Sequence, residues 1–240
     1  MLKLRRLSRI IKKVYRRIKG KPYVSCLKGE LTGYRSILDL GCGKSSPIKS
    51  FSTIFYYSVG AEMFKPYLLK SKETRIHDDY VLADVRKLGF RPRSFDTVVA
   101  LDLIEHLTKG EARHLIETME EIARKNVVVF TPNGFLCQSE YDRNICQVHR
   151  SGWTIKEFRN MGYEVKGING LKFLRKEEAY IRFRPRRLFQ IISDISQKLT
   201  YNFPNLAFQL LCVKELPGNK QSMKSLLATL RKLQKENRLD

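Results

Sequence analysis

Two hydrophobic rhythms divide the chain. Leu4, Leu7, Ile11, Val14 and Ile18 recur three and four positions apart with Lys and Arg between them, which predicts a basic amphipathic helix stopped by Gly20. From Arg35 onward the pattern shifts to short apolar runs rich in β-branched residues. Segments 36–40, 57–62, 80–84, 95–101 and 126–131 read as strands. Helices are predicted between them over 47–55, 65–72 and 109–124, the last with Ala112, Leu115, Ile116, Met119 and Ile122 on one face. Pro132, Asn133 and Gly134 stop the fifth strand.

The second half is less regular. Segment 135–151 is polar, has no period, and reads as a loop over the C-terminal edge of the sheet. Thr154 followed by Glu157 has capping-box spacing and opens a short helix over 154–161. A strand over 163–168, a helix over 185–199, a last strand over 206–213 and a basic helical tail over 221–237 complete the prediction. Strands alternating with helices specify an α/β fold, a parallel sheet covered on both faces. Three parts are expected: a basic amphipathic N-terminal helix as the part over 1–30, one domain over 31–215, and a basic helical tail over 216–240.

Composition narrows this picture. Of the 240 residues, 42% are hydrophobic, enough for a core, so global disorder is excluded. No run approaches the roughly 18 apolar residues that a membrane-spanning helix needs. The basic start is not followed by the apolar stretch of a secretory signal. Cys26, Cys42, Cys137, Cys146 and Cys212 are scattered, odd in number and form no CxxC pair. That argues against a disulfide framework and for a reducing cytoplasm. Charge changes the picture most. Lys and Arg total 46 against 24 Asp and Glu, a net +22. A field of that sign attracts nucleic acid, anionic lipid or phosphorylated substrates. Residues 1–21 carry ten of those cations and no acid, whereas 95–122 is acid-rich, so docking and chemistry are expected in different places.

The chemistry gathers at strand ends. The first strand runs into Gly41-Cys42-Gly43, a turn that aims backbone N–H groups at a ligand. Asp39, two residues before Gly41, suits a cationic ligand better than a pyrophosphate. Ser46 stands where a dinucleotide fingerprint has its third glycine. Glu62 ends the second strand, where a carboxylate can accept both hydroxyls of a ribose, and Asp84 ends the third, where one can accept from an adenine amino group. The run Ile37-Leu-Asp-Leu-Gly-Cys-Gly43, then Val59-Gly-Ala-Glu62, then Leu82-Ala-Asp84, then Phe95 through His106 closely resembles class I S-adenosylmethionine-dependent methyltransferases of the type 11 kind, over about residues 35–170. That resemblance implies a Rossmann-like, seven-stranded, mostly parallel sheet with an antiparallel last strand. It also implies that Asp39, Gly41 and Gly43 surround the methionine portion of S-adenosyl-L-methionine. Glu62 would hold the ribose, Asp84 the adenine with Val85 beside it, and Asp102 would lie near the amino-acid end. Ser45 replaces the frequent third glycine of that family.

The methyl acceptor is less legible. The Asn/Asp-Pro-Pro-aromatic motif of base and amide N-methyltransferases is absent after strand four, where Leu101-Asp-Leu-Ile stands, which disfavours an exocyclic amine and favours an oxygen acceptor, with carbon as the alternative. His106, Glu105 and His149 are the candidate catalytic residues. Asp102, Glu105, His106 and His149 together form a candidate divalent-metal set. Three readings of the Glu105–His106 pair stand: a hydrogen-bonded pair shaping the pocket, metal ligands, or a metal-free general base. The segment resembles both ubiquinone-biosynthesis O-methyltransferases and small-RNA 3′-terminal 2′-O-methyltransferases. The first resemblance implies O-methylation of a small-molecule, lipid-linked or saccharide acceptor, with the enzyme cytoplasmic or peripheral at the inner face of an anionic membrane through its basic N-terminal helix. The second implies metal-dependent ribose 2′-O-methylation of RNA. His77 and His114 read as surface residues, and Trp153 as packing for the helix over 154–161.

Overall fold

The computed structural model describes residue 15 and residues 19–140, 142, 144–176 and 179–217. The predicted N-terminal helix, apart from Tyr15, and the tail over 221–237 lie outside the described residues. Seven strands are described: β1 (Ser36–Leu40), β2 (Tyr57–Glu62), β3 (Asp79–Leu82), β4 (Phe95–Leu101), β5 (Ala123–Pro132), β6 (Glu164–Leu171) and β7 (Ala207–Glu215). They hydrogen-bond in the order β3-β2-β1-β4-β5-β7-β6, a mixed and mostly parallel Rossmann-like sheet. The helices are α1 (Tyr23–Leu31), α2 (Lys65–Glu73), α3 (Lys109–Ile122), α4 (Ile155–Asn160) and α5 (Arg186–Asn202). Among the described residues no helix is long and apolar enough to cross a membrane.

The chain divides into two compact units. Among the described residues, one draws on 33–101, 110–129 and 213–217. Within it β1 pairs in parallel with β2 on one side and β4 on the other, with Leu38 opposite both Val59 and Val98. Every residue of β1 and β4 is buried, as expected of strands covered on both faces. The chain leaves β1 for β2 and β3 on one side and reaches β4 on the other. The β1 end is therefore a topological switch point, where α/β sheets bind ligands. Helix α3 buries the five residues predicted for its apolar face. At its far end Asp96 is held by Arg124 (3.1 Å) and Lys125 (2.9 Å).

The other unit draws, among the described residues, on residue 15 and on those of 19–32, 102–109 and 130–212. Trp153 is fully buried against Phe158 of α4, with ring centroids 5.5 Å apart, and α4 opens with the predicted capping box. Strand β6 is the sheet edge, and α5 covers it. The cover is polar. Gln197 accepts from Gly170 N (2.9 Å) and donates to Gly167 O (2.9 Å), while Ser196 Oγ accepts from Leu171 N (3.2 Å). An edge strand's exposed backbone is thereby satisfied by side chains. The helix comes this close because β6 carries glycine. A Cβ at Gly167 would collide with Thr200 O and meet Ala207 Cβ at 2.5 Å. Gly167→Ala is accordingly expected to cost about 1–3 kcal/mol in chemical denaturation; unchanged stability would mean that α5 is not seated as described.

Three expectations change. The segment over 47–55 is two short 3-10 turns (Pro47–Ser50 and Ser52–Ile54), since it lacks a sustained apolar period. Helix α1, placed over Tyr23–Leu31, was not anticipated; its three buried side chains, Cys26, Leu27 and Leu31, make too short a pattern. His77 is not a surface residue: it is 5% exposed, lying over β2 where Gly60 leaves room, and a Cβ there would meet its ring at 2.6 Å. His114 is exposed, as expected.

Candidate active site

In the first unit, the turn after β1 takes a shape that needs glycine. Gly41 and Gly43 have φ of 64° and 57°, in the left-handed region. Glu62, at the end of β2, accepts from Gly43 N (3.0 Å) and Phe64 N (2.7 Å), so its carboxylate ties the glycine turn to the neighbouring strand end. Burial outweighs those hydrogen bonds and raises the Glu62 pKa above the usual carboxylate range. Asp39 is 1% exposed and turns inward. It accepts from Ser46 Oγ (2.6 Å), and His77 Nε2 lies 3.1 Å from the same oxygen. Ser46 also accepts from Ile48 N (3.3 Å), capping the first 3-10 turn. The residue that breaks the dinucleotide fingerprint thus closes the loop onto the buried acid. Ser46→Ala removes both bonds and is expected to cost about 1–2 kcal/mol in thermal or chemical unfolding; a variant as stable as the parent would assign Ser46 no such role.

Asp84 is more exposed. Its two oxygens are engaged by Arg86 (Nε 2.9 Å, Nη2 2.7 Å), and those bonds hold its carboxyl below the usual range. Val85 stands beside it, partly buried.

The second unit holds a cavity of about 320 Å³ lined by Tyr23, Asp102, Glu105, His106, His149 and Gln209, among others. Strand β4 leads directly into Asp102, whose φ of 51° is unusual for a residue other than glycine. Its backbone N–H bonds Phe130 O (2.9 Å), and its carboxylate accepts from Gln209 Nε2 (3.0 Å). Gln209 Oε1 in turn accepts from Asn169 Nδ2 (2.5 Å). Asp102 lines the cavity and is solvent-exposed there, yet the protein packed around it raises its carboxyl above the usual range.

Glu105 and the segment around His149 are built as one piece. The Glu105 carboxylate is buried and accepts from Thr131 Oγ1 (3.0 Å). Its backbone carbonyl accepts from Arg150 N (2.7 Å) and Ser151 N (3.0 Å). Ser151 Oγ donates to Ile104 O (3.2 Å) and receives Trp153 Nε1 (3.1 Å). The run His149-Arg-Ser-Gly-Trp153 is therefore clamped to the turn that carries Glu105 and His106. A side-chain atom of each of Glu105, His106 and His149 lies within 4.8 Å of the other two, and the imidazole centroids are 4.8 Å apart. Asp102 stands outside that group of three, bound to Gln209.

The electrostatics of the three are consistent with a cation site. His149 Nδ1 lies 2.7 Å from Leu136 O; a carbonyl can only accept, so Nδ1 carries the proton and Nε2 keeps its lone pair. His106 Nδ1 makes a longer contact with Val148 O (3.4 Å). Burial, and for His106 also His149, lowers both imidazoles, His106 to about 4. Burial, with Asp102 nearby, raises Glu105 well above the carboxylate range. Each group is thus held against its charged acid or base form by lack of a counter-charge, which a divalent ion among two neutral imidazoles and a carboxylate would supply. The donor set fits such an ion.

The sequence reading named Glu105, His106 and His149, and the fold brings them together. It gave no bonding role to Ser46, Thr131, Ser151 or Gln209. Gln209 had a signal, a lone amide inside the apolar run of the last strand, where a polar group needs a partner.

Comparison with known proteins accords with this geometry. Residues 38–137 match a methyltransferase domain model. The chain is 26% identical over 141 residues to an uncharacterized protein of Methanocaldococcus jannaschii, covering 58% of this chain and 59% of that protein. It is 23% identical over 186 residues to a small RNA 2′-O-methyltransferase of Bombyx mori, covering 75% of this chain and 41% of that protein. The matches thus span between two fifths and three fifths of those relatives. A solved S-adenosylmethionine-dependent methyltransferase from Archaeoglobus fulgidus shares the fold, with a TM-score of 0.54, 13% identity, and coverage of 85% of this chain and 94% of that one.

Proposed function

We propose that this enzyme, whose residues 38–137 match a methyltransferase domain model and whose methyl donor is S-adenosylmethionine, O-methylates a hydroxyl of a sugar ring, held by a divalent cation on Glu105, His106 and His149. The observation that carries this reading is the clamped trio of one carboxylate and two neutral imidazoles in a cavity of about 320 Å³. The donor's sulfonium supplies an electrophilic methyl, so this chain's residues must position the acceptor, exclude water and remove a proton. A bound cation would supply Lewis acidity that eases loss of the hydroxyl proton. His106, lowered to about 4, is a weak base at neutral pH, which favours the ligand role over direct proton abstraction. Glu105 adds the negative charge that such an ion needs. Gln209 and Asn169 give the cavity an amide pair for further hydroxyls. Tyr23, stacked on Phe130 with centroids 3.9 Å apart, gives it an apolar wall against which a sugar ring can lie.

Chelation tests the ligand set. Transfer to saccharide acceptors is expected to stop with chelator and return with added Mn²⁺ or Mg²⁺. Metal analysis of the loaded protein should give one ion, lost in His149→Ala. Full activity in chelator, with no bound ion, would overturn the reading. The pH profile follows from the same groups. Both imidazoles are lowered and stay neutral on acidification, whereas Glu105 is raised well above the carboxylate range, so falling pH should release the ion by protonating Glu105 before either imidazole. An acid-side loss of ion binding that is unchanged in Glu105→Gln would contradict it.

A second reading, ribose 2′-O-methylation at an RNA end, is favoured by the Bombyx mori relative and by the +22 charge. It predicts label on small RNA and binding that falls steeply with salt.

A further inference from the structure

Helix α5 is built inside out. Its buried face is polar, Ser193, Gln197 and Thr200, and bonds to β6 as described. Its outer face is apolar: Leu188, Ile191, Ile192, Ile195 and Leu199 recur along the helix, with Phe203 just beyond, and each is between 37% and 58% exposed. A soluble helix normally has the opposite arrangement. Polar anchoring also makes the face preformed, since nothing apolar need be withdrawn from the core to present it.

Charge surrounds this stripe. Arg182, Arg184, Arg186 and Arg187 are exposed at its start and Lys198 on its flank. The first turn of α5 holds two arginines and no acid, opposing the helix dipole, so these cations do not serve the helix itself. The one carboxylate of α5, Asp194, is engaged by Tyr15 Oη and by Gln190 Nε2 (2.7 Å). Beside the stripe lies an open groove of about 500 Å³, with Tyr180, Ile181 and Ile191 on its apolar side and Arg186 and Arg187 on its charged side.

We propose that α5 is a membrane-docking helix, lying in the surface of an anionic bilayer with its apolar stripe among the acyl chains and its arginines at the lipid phosphates. Apolar area plus attraction to anionic headgroups is what holds an amphipathic helix at an interface, and a polybasic flank adds to it. A second copy of the chain is a poorer occupant. Symmetric pairing would set Arg187 and Lys198 against cations of the same kind, on a chain already at +22. This proposal does not depend on the acceptor or the metal.

The test is sedimentation of the full chain with vesicles of phosphatidylcholine, alone or mixed with phosphatidylglycerol. Binding is expected to the mixed vesicles and to weaken by about tenfold or more in Ile195→Glu, since one buried aliphatic anchor is worth about that factor. R186A/R187A should weaken binding to the mixed vesicles more than binding to phosphatidylcholine alone. Because residue 195 is solvent-facing, circular dichroism and melting of Ile195→Glu should match the parent. A second variant, I195W, should emit as a solvent-exposed indole without lipid and shift to the blue with mixed vesicles. Equal vesicle binding by parent and Ile195→Glu would overturn the proposal and assign membrane attraction to the basic ends of the chain. A blue-shifted I195W without lipid would overturn it too, the face then being covered by the chain itself or by a second copy. Size-exclusion light scattering tells those two apart.

Discussion

His106→Ala is expected to lower the rate of methyl transfer by about 10²–10⁴-fold and to leave S-adenosylmethionine affinity nearly unchanged. His106 lies in the cavity with Glu105 and His149, whereas the glycine turn and Glu62 belong to the other compact unit. Removing the imidazole takes one of three donors from the trio and leaves Glu105 and His149 without their neighbour. The backbone clamp from Glu105 O to Arg150 and Ser151 does not involve the lost ring, so the fold should persist. Single-turnover transfer with radiolabelled donor, beside calorimetric titration of the donor, separates the two quantities. Retention of full activity would remove His106 from the chemistry. A parallel loss of donor affinity would reassign it to the cofactor site. Excess Mn²⁺ distinguishes the remaining roles, because a weakened ligand set is partly rescued by mass action and a missing base is not.

Glu62→Ala is the second large effect. It is expected to weaken S-adenosylmethionine binding by about 10–100-fold, because a carboxylate-assisted hydrogen bond contributes about 1.5–3 kcal/mol. Two losses combine here. The ribose hydroxyls lose the acceptor that the family resemblance assigns them. Gly43 N and Phe64 N also lose the oxygens that pin the turn, at 3.0 and 2.7 Å. Glu62→Gln keeps one acceptor oxygen and should fall between the two. Wild-type affinity in Glu62→Ala would mean that the donor binds elsewhere. Trapping the donor with Glu62→Gln as well as Glu62→Ala also shows whether charge or geometry matters, since burial already raises the pKa of this acid.

The sheet was legible because each strand obeys a local rule. Segments 57–62 and 95–101 match β2 and β4 to the residue, being short apolar runs between clear stops. The capping box at Thr154 was equally plain, since its two partners are three residues apart. What failed to show in sequence is what depends on distant partners. His77 looks like a surface histidine until β2 places a glycine beneath it and β1 places Asp39 beside it. Helix α5 was legible as a helix but not in its orientation. Periodicity finds the apolar stripe without saying which way it faces, and here hydrogen bonds to an edge strand decide. The acids and imidazoles of the cavity were legible as a set, yet Asp102 takes a separate place, because Gln209 arrives from a strand more than a hundred residues away.

Glu105 contributes to the cavity through two chemically independent groups, a side-chain carboxylate and a backbone carbonyl that holds Arg150 and Ser151. Only the first depends on which amino acid stands at that position. Under the proposed ligand role, substitution there would change ion preference, or abolish ion binding, while the segment bearing His149 keeps its place. For a protein engineer this makes residue 105 a position at which the proposed ion site can be varied without first re-establishing the loop.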